Sequence, residues 1–148
     1  MSTQTSKEIE NKNILEHLWD EVWNKRNYSV LDEVYATDIH YHGASVELNG
    51  INELKQLTNT FSSAFHDTKI TLDLIFAKDD LVAQKFLFEG IHDGTFEEIA
   101  PTGKRINLSG ISISRLEKGK ITEEWEMFDD LGLMQQLGME LKLKELAH

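Results

Sequence analysis

Apolar residues in the first half of the chain recur at helical spacing, whereas those in the second half alternate with polar residues as in strands. A first helix is predicted over Thr5–Asn24, opened by a capping box of Thr5 and Glu8. Its apolar face comprises Leu15, Leu18, Trp19, Val22 and Trp23. Two further helices are predicted over Ser29–Tyr35 and Ile51–Phe65.

From His66 onward the pattern has a period of two, which predicts strands. The residues predicted to face inward on the first two strands are Ile70, Leu72, Leu74, Phe76, Val82, Phe86, Phe88 and His92. Two more strands are predicted over Asn107–Arg115 and from Ile121, joined by a hairpin at 116–120. Three helices followed by antiparallel strands predict an α+β domain, with a curved sheet wrapped around the helices as a cone.

The last predicted strand divides into two faces. One face carries Ile121, Glu123, Trp125, Met127 and Asp129, and the other carries Thr122, Glu124, Glu126 and Phe128. The first set is more apolar, so it is predicted to face inward, with Asp129 at its inner end. A desolvated carboxylate there would have a raised pKa suited to proton transfer. The alternative is that Asp129 caps a helix that begins near Leu131.

Histidines are the other candidates for chemistry. His40 and His42 share one side of a predicted strand and, with Glu47, match the first metal motif of the cupins. The second cupin motif needs a histidine after a Pro-X-Gly turn, but Pro101–Gly103 is followed by Lys104. The favoured interpretation is therefore that no metal binds, and that one of the two histidines lines a pocket.

Two polar residues at element ends complete the candidates. His92 shares its face with two phenylalanines and is interpreted as a histidine of the core or rim, with a pocket role as the alternative. Asn24 ends the first helix, where its side chain is predicted to make a polar bond.

Composition narrows the function classes. The 148 residues fit one domain spanning 1–148. Residues 1–10 are predicted to form a terminal tail, and residues 139–148 either a second tail or a short helix. The formal charge of −11 argues against nucleic acid and acidic membranes, since phosphate binding needs clustered lysine and arginine. There is no cysteine, and no apolar run of signal-peptide or membrane-spanning character. We therefore expect a cytoplasmic protein.

Several short motifs resemble the SnoaL-like polyketide cyclases. They are Trp23-Asn24, His42-Gly43, the segment 90–96, the segment 101–104, Gly119-Lys120-Ile121, Trp125, Asp129, Leu131-Gly132-Leu133 and Gln136-Leu137-Gly138. They lie in the family's order from about residue 11 to residue 138. The resemblance implies a nuclear transport factor 2-like cone, a pocket between helices and sheet, and a homodimer formed through the outer sheet surface.

The resemblance also implies cofactor-free chemistry. In the family's cyclases an acidic carbon between two carbonyl groups loses a proton, and the carbanion attacks a carbonyl of the same molecule. Asp129 occupies the family's acid/base position, and His42 or His92 would support it. The expected substrate is a small hydrophobic carbonyl compound. Its predicted contacts are Trp125, Met127, Phe86, Phe88, Asn24 and His40.

Three hypotheses follow. The first is a cofactor-free cyclase, isomerase or hydrolase that uses Asp129. The second is a non-catalytic module that binds an apolar ligand in the same cone or dimerises with a partner. The third is a metal-dependent barrel that uses His40, His42 and Glu47.

Overall fold

The structure of the protein, a computed structural model, describes residues 3–145, and its first helix begins at the predicted capping box. The Thr5 hydroxyl accepts a hydrogen bond from the Glu8 amide at 3.1 Å, and the Glu8 carboxylate accepts one from the Thr5 amide at 2.8 Å. This helix, α1 (Ser6–Trp19), continues into a π-helical turn, Asp20–Asn24, so the predicted extent of the first helical segment is confirmed.

Two strands precede the third helix, and the other elements follow the predicted order of helices, then strands, then a short helix. Their bounds are α1 Ser6–Trp19, α2 Val30–Val34, β1 Tyr35–His42, β2 Glu47–Asn49, α3 Ile51–Ala64, β3 Phe65–Lys78, β4 Leu81–His92, β5 Arg105–Glu117, β6 Lys120–Phe128 and α4 Asp130–Gln136. Residues 139–145 form neither helix nor strand, and residues 146–148 of the predicted tail lie outside the described residues.

The six strands form one sheet in the order β2-β1-β6-β5-β4-β3. Strands β3 to β6 are antiparallel neighbours, as predicted, but β1 runs parallel to β6. The expectation of a wholly antiparallel sheet is therefore wrong at this one pair. Hairpins join β3 to β4 and β5 to β6, whereas β1 and β6 are far apart in the chain, so no tight turn fixes their relative direction.

Strand β3 contains a β-bulge that changes which side chains face the core. Leu72 pairs with Phe86 and Leu74 with Lys85, which leaves Asp73 as an extra residue. Beyond the bulge Ile75 and Ala77 pack against the core, while Leu74 and Phe76 are largely exposed. The predicted inward direction of Leu74 and Phe76 is therefore wrong, because one inserted residue reverses the alternation.

Strand β6 contains a second bulge with a larger effect on the site. Leu116 pairs with Ile121 and Arg115 with Glu123, so Thr122 is the extra residue. Ile121 is fully buried, as predicted, but after Thr122 the inward face passes to the even-numbered residues of the strand. The inward-facing residues are Glu124, Glu126 and Phe128. Two carboxyl groups thus enter the interior, although the more apolar face was predicted to do so.

The main hydrophobic core lies between the helices and this inner face of the sheet. Strand β4 supplies its predicted inward residues Val82, Phe86, Phe88 and His92, all of them buried. Within residues 3–145, no helix combines the length and the apolar composition needed to cross a bilayer.

Candidate active site

A cavity separates part of the helical layer from the sheet and holds about 720 Å³ of empty space, including its open mouth. Aromatic and aliphatic side chains from α1, the π-helical turn, α2, α3 and five strands form most of its wall. Its lining residues are Leu18, Trp19, Val22, Trp23, Leu31, Tyr35, Tyr41, Leu54, Leu57, Thr58, Phe61, Ile70, Phe86, Phe88, Leu108, Glu124, Glu126 and Phe128. Carboxyl and phenol groups therefore face a space that is otherwise apolar, the usual character of a small-molecule site.

Glu124 is held by two hydroxyl groups. Its side chain accepts a hydrogen bond from the Tyr35 hydroxyl at 2.9 Å and another from the Ser114 hydroxyl at 2.6 Å. Only 4% of the residue is exposed, and it lies opposite Ser114 in the β5–β6 ladder. Burial is tolerated because both carboxyl oxygens have partners.

Glu126 repeats this arrangement one inward position further along β6. Its side chain accepts hydrogen bonds from the Tyr41 hydroxyl at 2.7 Å and from the Ser112 hydroxyl at 2.6 Å. The two glutamates are separated by one residue of a strand, so their side chains leave the sheet on the same side. The result is a pair of carboxyl groups, each fixed by one tyrosine and one serine.

The environment makes ionisation of this pair unfavourable. Burial, followed by the charge of neighbouring Glu126, raises the pKa of Glu124 from its ordinary 4.5 to about 8. Burial likewise raises the pKa of Glu126, although hydrogen bonds from Ser112 and Tyr41 act in the opposite direction. At neutral pH Glu124 therefore retains its proton, and Glu126 is the member of the pair whose charge opposes ionisation of Glu124.

The surrounding hydroxyl groups remain neutral donors. Burial and the adjacent glutamates raise the pKa of Tyr35 and of Tyr41 above the ordinary value of tyrosine. On β4, the Gln84 amide donates a hydrogen bond to the Ser114 hydroxyl at 3.4 Å and so joins the polar network. Its carbonyl oxygen accepts a hydrogen bond from the Trp19 indole at 3.1 Å. This bond fixes the orientation of a tryptophan that lines the cavity.

Asp129 occupies a different place from the one predicted. It is exposed and caps α4, where its carboxylate accepts a hydrogen bond from the Gly132 amide at 2.9 Å. The predicted inner-face position is wrong because the bulge at Thr122 reverses the alternation before Asp129 is reached. The residue Asp130 is also exposed, and partial loss of hydration, followed by the charges of Glu97 and Asp129, raises the pKa of its carboxyl group.

Trp125 and Met127 lie on the outer face of the sheet, so their predicted place in the cavity wall is wrong. Met127 is 61% exposed, and Trp125 stacks on the ring of His42 at a centroid distance of 5.4 Å. His40 and His42 project on this same outer face, away from Glu124 and Glu126. The prediction that His42 lines the cavity, and that His40 contacts a ligand there, is therefore also wrong.

Of the other predicted contacts, only Phe86 and Phe88 line the cavity. His92 is fully buried outside the cavity lining, where its Nδ1 atom accepts a hydrogen bond from the Thr102 amide at 3.1 Å. Asn24 bonds to the Ile70 amide at 2.7 Å and thereby ties the end of the helix to β3. Asn24 thus makes the predicted polar bond, but its place among the substrate contacts is wrong.

The sequence reasoning missed Glu124, Glu126 and the hydroxyl groups that hold them. Their polar character marked the face as solvated. A useful signal was present in β5, where Ser112 and Ser114 alternate with Ile111 and Ile113. Polar side chains on two strands paired by a hairpin can hydrogen-bond to one another, and such a face can then be buried instead of solvated.

Comparisons with known proteins identify the family. The model of the SnoaL-like polyketide cyclase family matches residues 13–137. A candidate SnoaL-like polyketide cyclase from Jannaschia sp. CCS1 superposes with a TM-score of 0.86 at 17% identity, over 95% of this chain and 100% of that chain. AclR, a candidate hydroxylase from Streptomyces galilaeus, gives a TM-score of 0.81 at 25% identity, with 88% and 96% covered.

A candidate polyketide cyclase from Acidithiobacillus ferrooxidans is 28% identical, with a TM-score of 0.75 over 93% of this chain and 97% of that chain. No curated protein sequence matches the chain. The superpositions confirm the α+β fold of the SnoaL and nuclear transport factor 2-like type. Since the family model spans most of the sequence, the chain belongs to the SnoaL-like polyketide cyclase family.

Proposed function

We propose that the protein is an acid–base enzyme that cyclises or isomerises a small hydrophobic carbonyl compound, with Glu124 and Glu126 as its acid and base. The observation that carries this proposal is the pair of carboxyl groups, Glu124 buried and Glu126 half-buried, each held by two hydroxyls in the wall of an apolar cavity. Membership of the family supports a cyclase or isomerase role at the family level.

In the proposed reaction, the ionised Glu126 removes a proton from a carbon that lies between two carbonyl groups. The resulting carbanion attacks a second carbonyl of the same molecule, so that one carbon–carbon bond forms and one carbonyl π bond breaks. The protonated Glu124 then gives its proton to the alkoxide oxygen. Transfer of the abstracted proton from Glu126 to Glu124 restores the pair, and neither a cofactor nor a redox partner is consumed.

The cavity wall supplies the remaining requirements of such a reaction. Tyr35 and Tyr41 line the cavity, and a tyrosine hydroxyl that turns away from its glutamate can donate its hydrogen bond to a substrate oxygen as negative charge develops there. Trp23 packs edge-on against Phe88 at a centroid distance of 5.3 Å, and both rings face the cavity. Flat, apolar substrates fit a wall of this kind.

The proposal is tested by the first proton transfer, which does not require the natural substrate. A panel of 1,3-dicarbonyl compounds is incubated with the protein in D₂O, and exchange of the acidic C–H is followed by NMR. We expect Glu124→Gln and Glu126→Gln each to slow the catalysed exchange by about two to four powers of ten, the usual contribution of an acid–base group.

Asp129 remains a second candidate for the acid/base, because the family resemblance assigns that role to its position. Asp129→Asn and Asp130→Asn therefore accompany the glutamate variants in the same assay. Parental exchange in both glutamate variants, together with loss of exchange in Asp129→Asn, would transfer the role to Asp129. A cavity that binds an apolar dye without exchanging any compound of the panel would favour the alternative, a non-catalytic binding module.

We further propose that two copies of the chain pair through the outer face of the sheet, and that the protein acts in the cytoplasm. An exposed row of large apolar side chains on that face supports the pairing. Its members are Leu74, Phe76, Ile111, Ile113 and Met127. An apolar surface of this kind is typical of protein–protein contacts.

A further inference from the structure

Two histidines and two glutamates converge on the outer face of the sheet, on the opposite side from the cavity. His42 lies opposite Glu47 in the β1–β2 ladder, and His40 lies opposite Glu123 in the β1–β6 ladder. Three adjacent strands thus contribute to one cluster, which we call the His40 cluster: His40, His42, Glu47 and Glu123.

The side chains of the cluster are already in contact. The Nε2 atom of His40 lies 3.0 Å from a Glu47 carboxylate oxygen, and the Nδ1 atom of His42 lies 2.9 Å from the same oxygen. The Nε2 atom of His42 lies 2.8 Å from a carboxylate oxygen of Glu123. Both histidines therefore present ring nitrogens to carboxylates rather than to water alone.

We propose that the His40 cluster binds one divalent transition-metal ion of the Zn²⁺ class. Ligand atoms of His40, His42 and Glu123 all lie within 4.8 Å of one another, and Glu47 provides a further carboxylate between the two rings. Two imidazoles with carboxylate oxygens form a donor set suited to zinc, cobalt or nickel.

Accepting the ion requires the ligand side chains to move closer together. Tetrahedral bonds of about 2.0–2.1 Å place neighbouring ligand atoms about 3.3 Å apart. The ligand atoms of His40, His42 and Glu123 lie within 4.8 Å of one another, so the widest pair closes by up to about 1.5 Å. The side chains of the cluster are between 24% and 58% exposed, so they can move by that amount without disturbing the core. Glu47 and Glu123 contact opposite nitrogens of the His42 ring, so the glutamate that does not bind the ion is left to hold the ring in place.

Neighbouring side chains hold the cluster in place from β6 and β5. The Trp125 ring stacks on His42 with an interplanar angle of 14°, which fixes the imidazole plane. The guanidinium group of Arg115 lies 3.6 Å from Glu123 and 5.8 Å from the centre of the Trp125 ring. Contacts of this kind orient metal ligands in proteins.

Binding should become tighter as pH rises. An imidazole binds a metal ion only in its neutral form, so any proton on His40 or His42 must leave before the ion can bind. The charged and titratable groups that face His42 are Glu47 on β2, His40 on the same strand, and Glu123 on β6, with Arg115 on β5 beyond Glu123. A bound ion would replace these hydrogen bonds and tie the short edge strand β2 to the centre of the sheet.

The test uses protein without a histidine tag, treated with a chelator and then titrated with ZnCl₂ by calorimetry. We expect one saturable site per chain, with a micromolar or smaller dissociation constant at pH 7.5 and weaker binding at pH 6. Zinc at 100 times that constant should raise the melting temperature by about 5–10 °C. Titration with CoCl₂ should produce the visible d–d absorption of a cobalt ion bound by protein ligands.

His40→Ala and His42→Ala should each weaken zinc binding by about tenfold or more, and the double variant should abolish it. His66→Ala is the matched control, because His66 is another exposed histidine paired with a carboxylate, that of Asp93. If His42→Ala fails to fold, His40→Ala carries the test alone. Zinc binding by the double variant as tight as that of the parent, or no saturable binding by the parent, would overturn the proposal.

Discussion

Replacing Glu124 with glutamine should make the stability of the protein less sensitive to alkaline pH. The side chain is almost completely buried, and burial with the charge of Glu126 raises its pKa from 4.5 to about 8. Between those two values the folded protein binds a proton that the unfolded chain releases. The free energy of unfolding therefore falls as pH rises through this window.

The size of the effect follows from the width of the window. One proton corresponds to about 1.36 kcal/mol for each pH unit. Most of the interval from pH 5.5 to pH 8.5 lies below the folded pKa of Glu124, which is about 8. Over this interval the Glu124 proton therefore lowers the free energy of unfolding by about 3 kcal/mol. That is a large fraction of the 5–15 kcal/mol typical of a folded protein.

The measurement is urea unfolding of the parent and of Glu124→Gln at a series of pH values from 5.5 to 8.5. Glutamine has nearly the same shape, and the hydroxyls of Tyr35 and Ser114 can rotate to donate or accept as needed. The variant should lose about 3 kcal/mol less than the parent over this range. The raised pKa of His42 also lowers the free energy of unfolding as pH rises, but it does so in both proteins. The contribution of Glu124 is therefore the difference between the parent and the variant.

Glu117→Gln is the matched control, since Glu117 is an exposed carboxylate at the end of β5. This variant should follow the parent at every pH. Equal pH dependence in the parent and in Glu124→Gln would show that Glu124 does not gain a proton on folding. The assignment of Glu124 as the acid of the pair would then be refuted.

Two further predictions concern the cavity and the outer face. Trp23→Ala should weaken the binding of an apolar dye by about tenfold or more, because the ring lines the cavity, whereas Trp125→Ala should leave dye binding unchanged. Equal losses of dye binding in the two variants would show that the dye does not bind in this cavity. Sedimentation at micromolar concentration should give a dimer for the parent and a monomer for Ile111→Lys, because the charge falls in the exposed apolar row. A parent that sediments only as a monomer would contradict the proposed pairing.

Local pattern was sufficient to predict most elements of the fold. The capping box of Thr5 and Glu8 lies at the start of α1, and the alternation of β4 gives its buried face without error. Both signals depend on residues within one turn or one strand. The direction of β1 beside β6 depends on contacts between distant segments, which periodicity does not report.

The candidate site was predicted less well, because its position depends on the register of β6. Ile121 and Trp125 are both large and apolar, and an uninterrupted strand would bury them on one face. The ladder with β5 instead leaves Thr122 unpaired. No residue type near Thr122 marks a bulge, since there is no glycine or proline in the strand after Lys120. The local capping interpretation of Asp129, by contrast, is confirmed.

The same bulge connects the two proposed sites. An unbroken strand would direct Glu123 inward with Ile121 and leave Glu124 and Glu126 on the outer face. The extra residue Thr122 reverses this: Glu124 and Glu126 reach the tyrosines of the cavity, and Glu123 reaches His42 on the opposite side. A run of acidic residues that would form one solvated face is thereby divided between two chemically different environments. Because a one-residue shift exchanges the faces of a strand, neither site could form without the bulge.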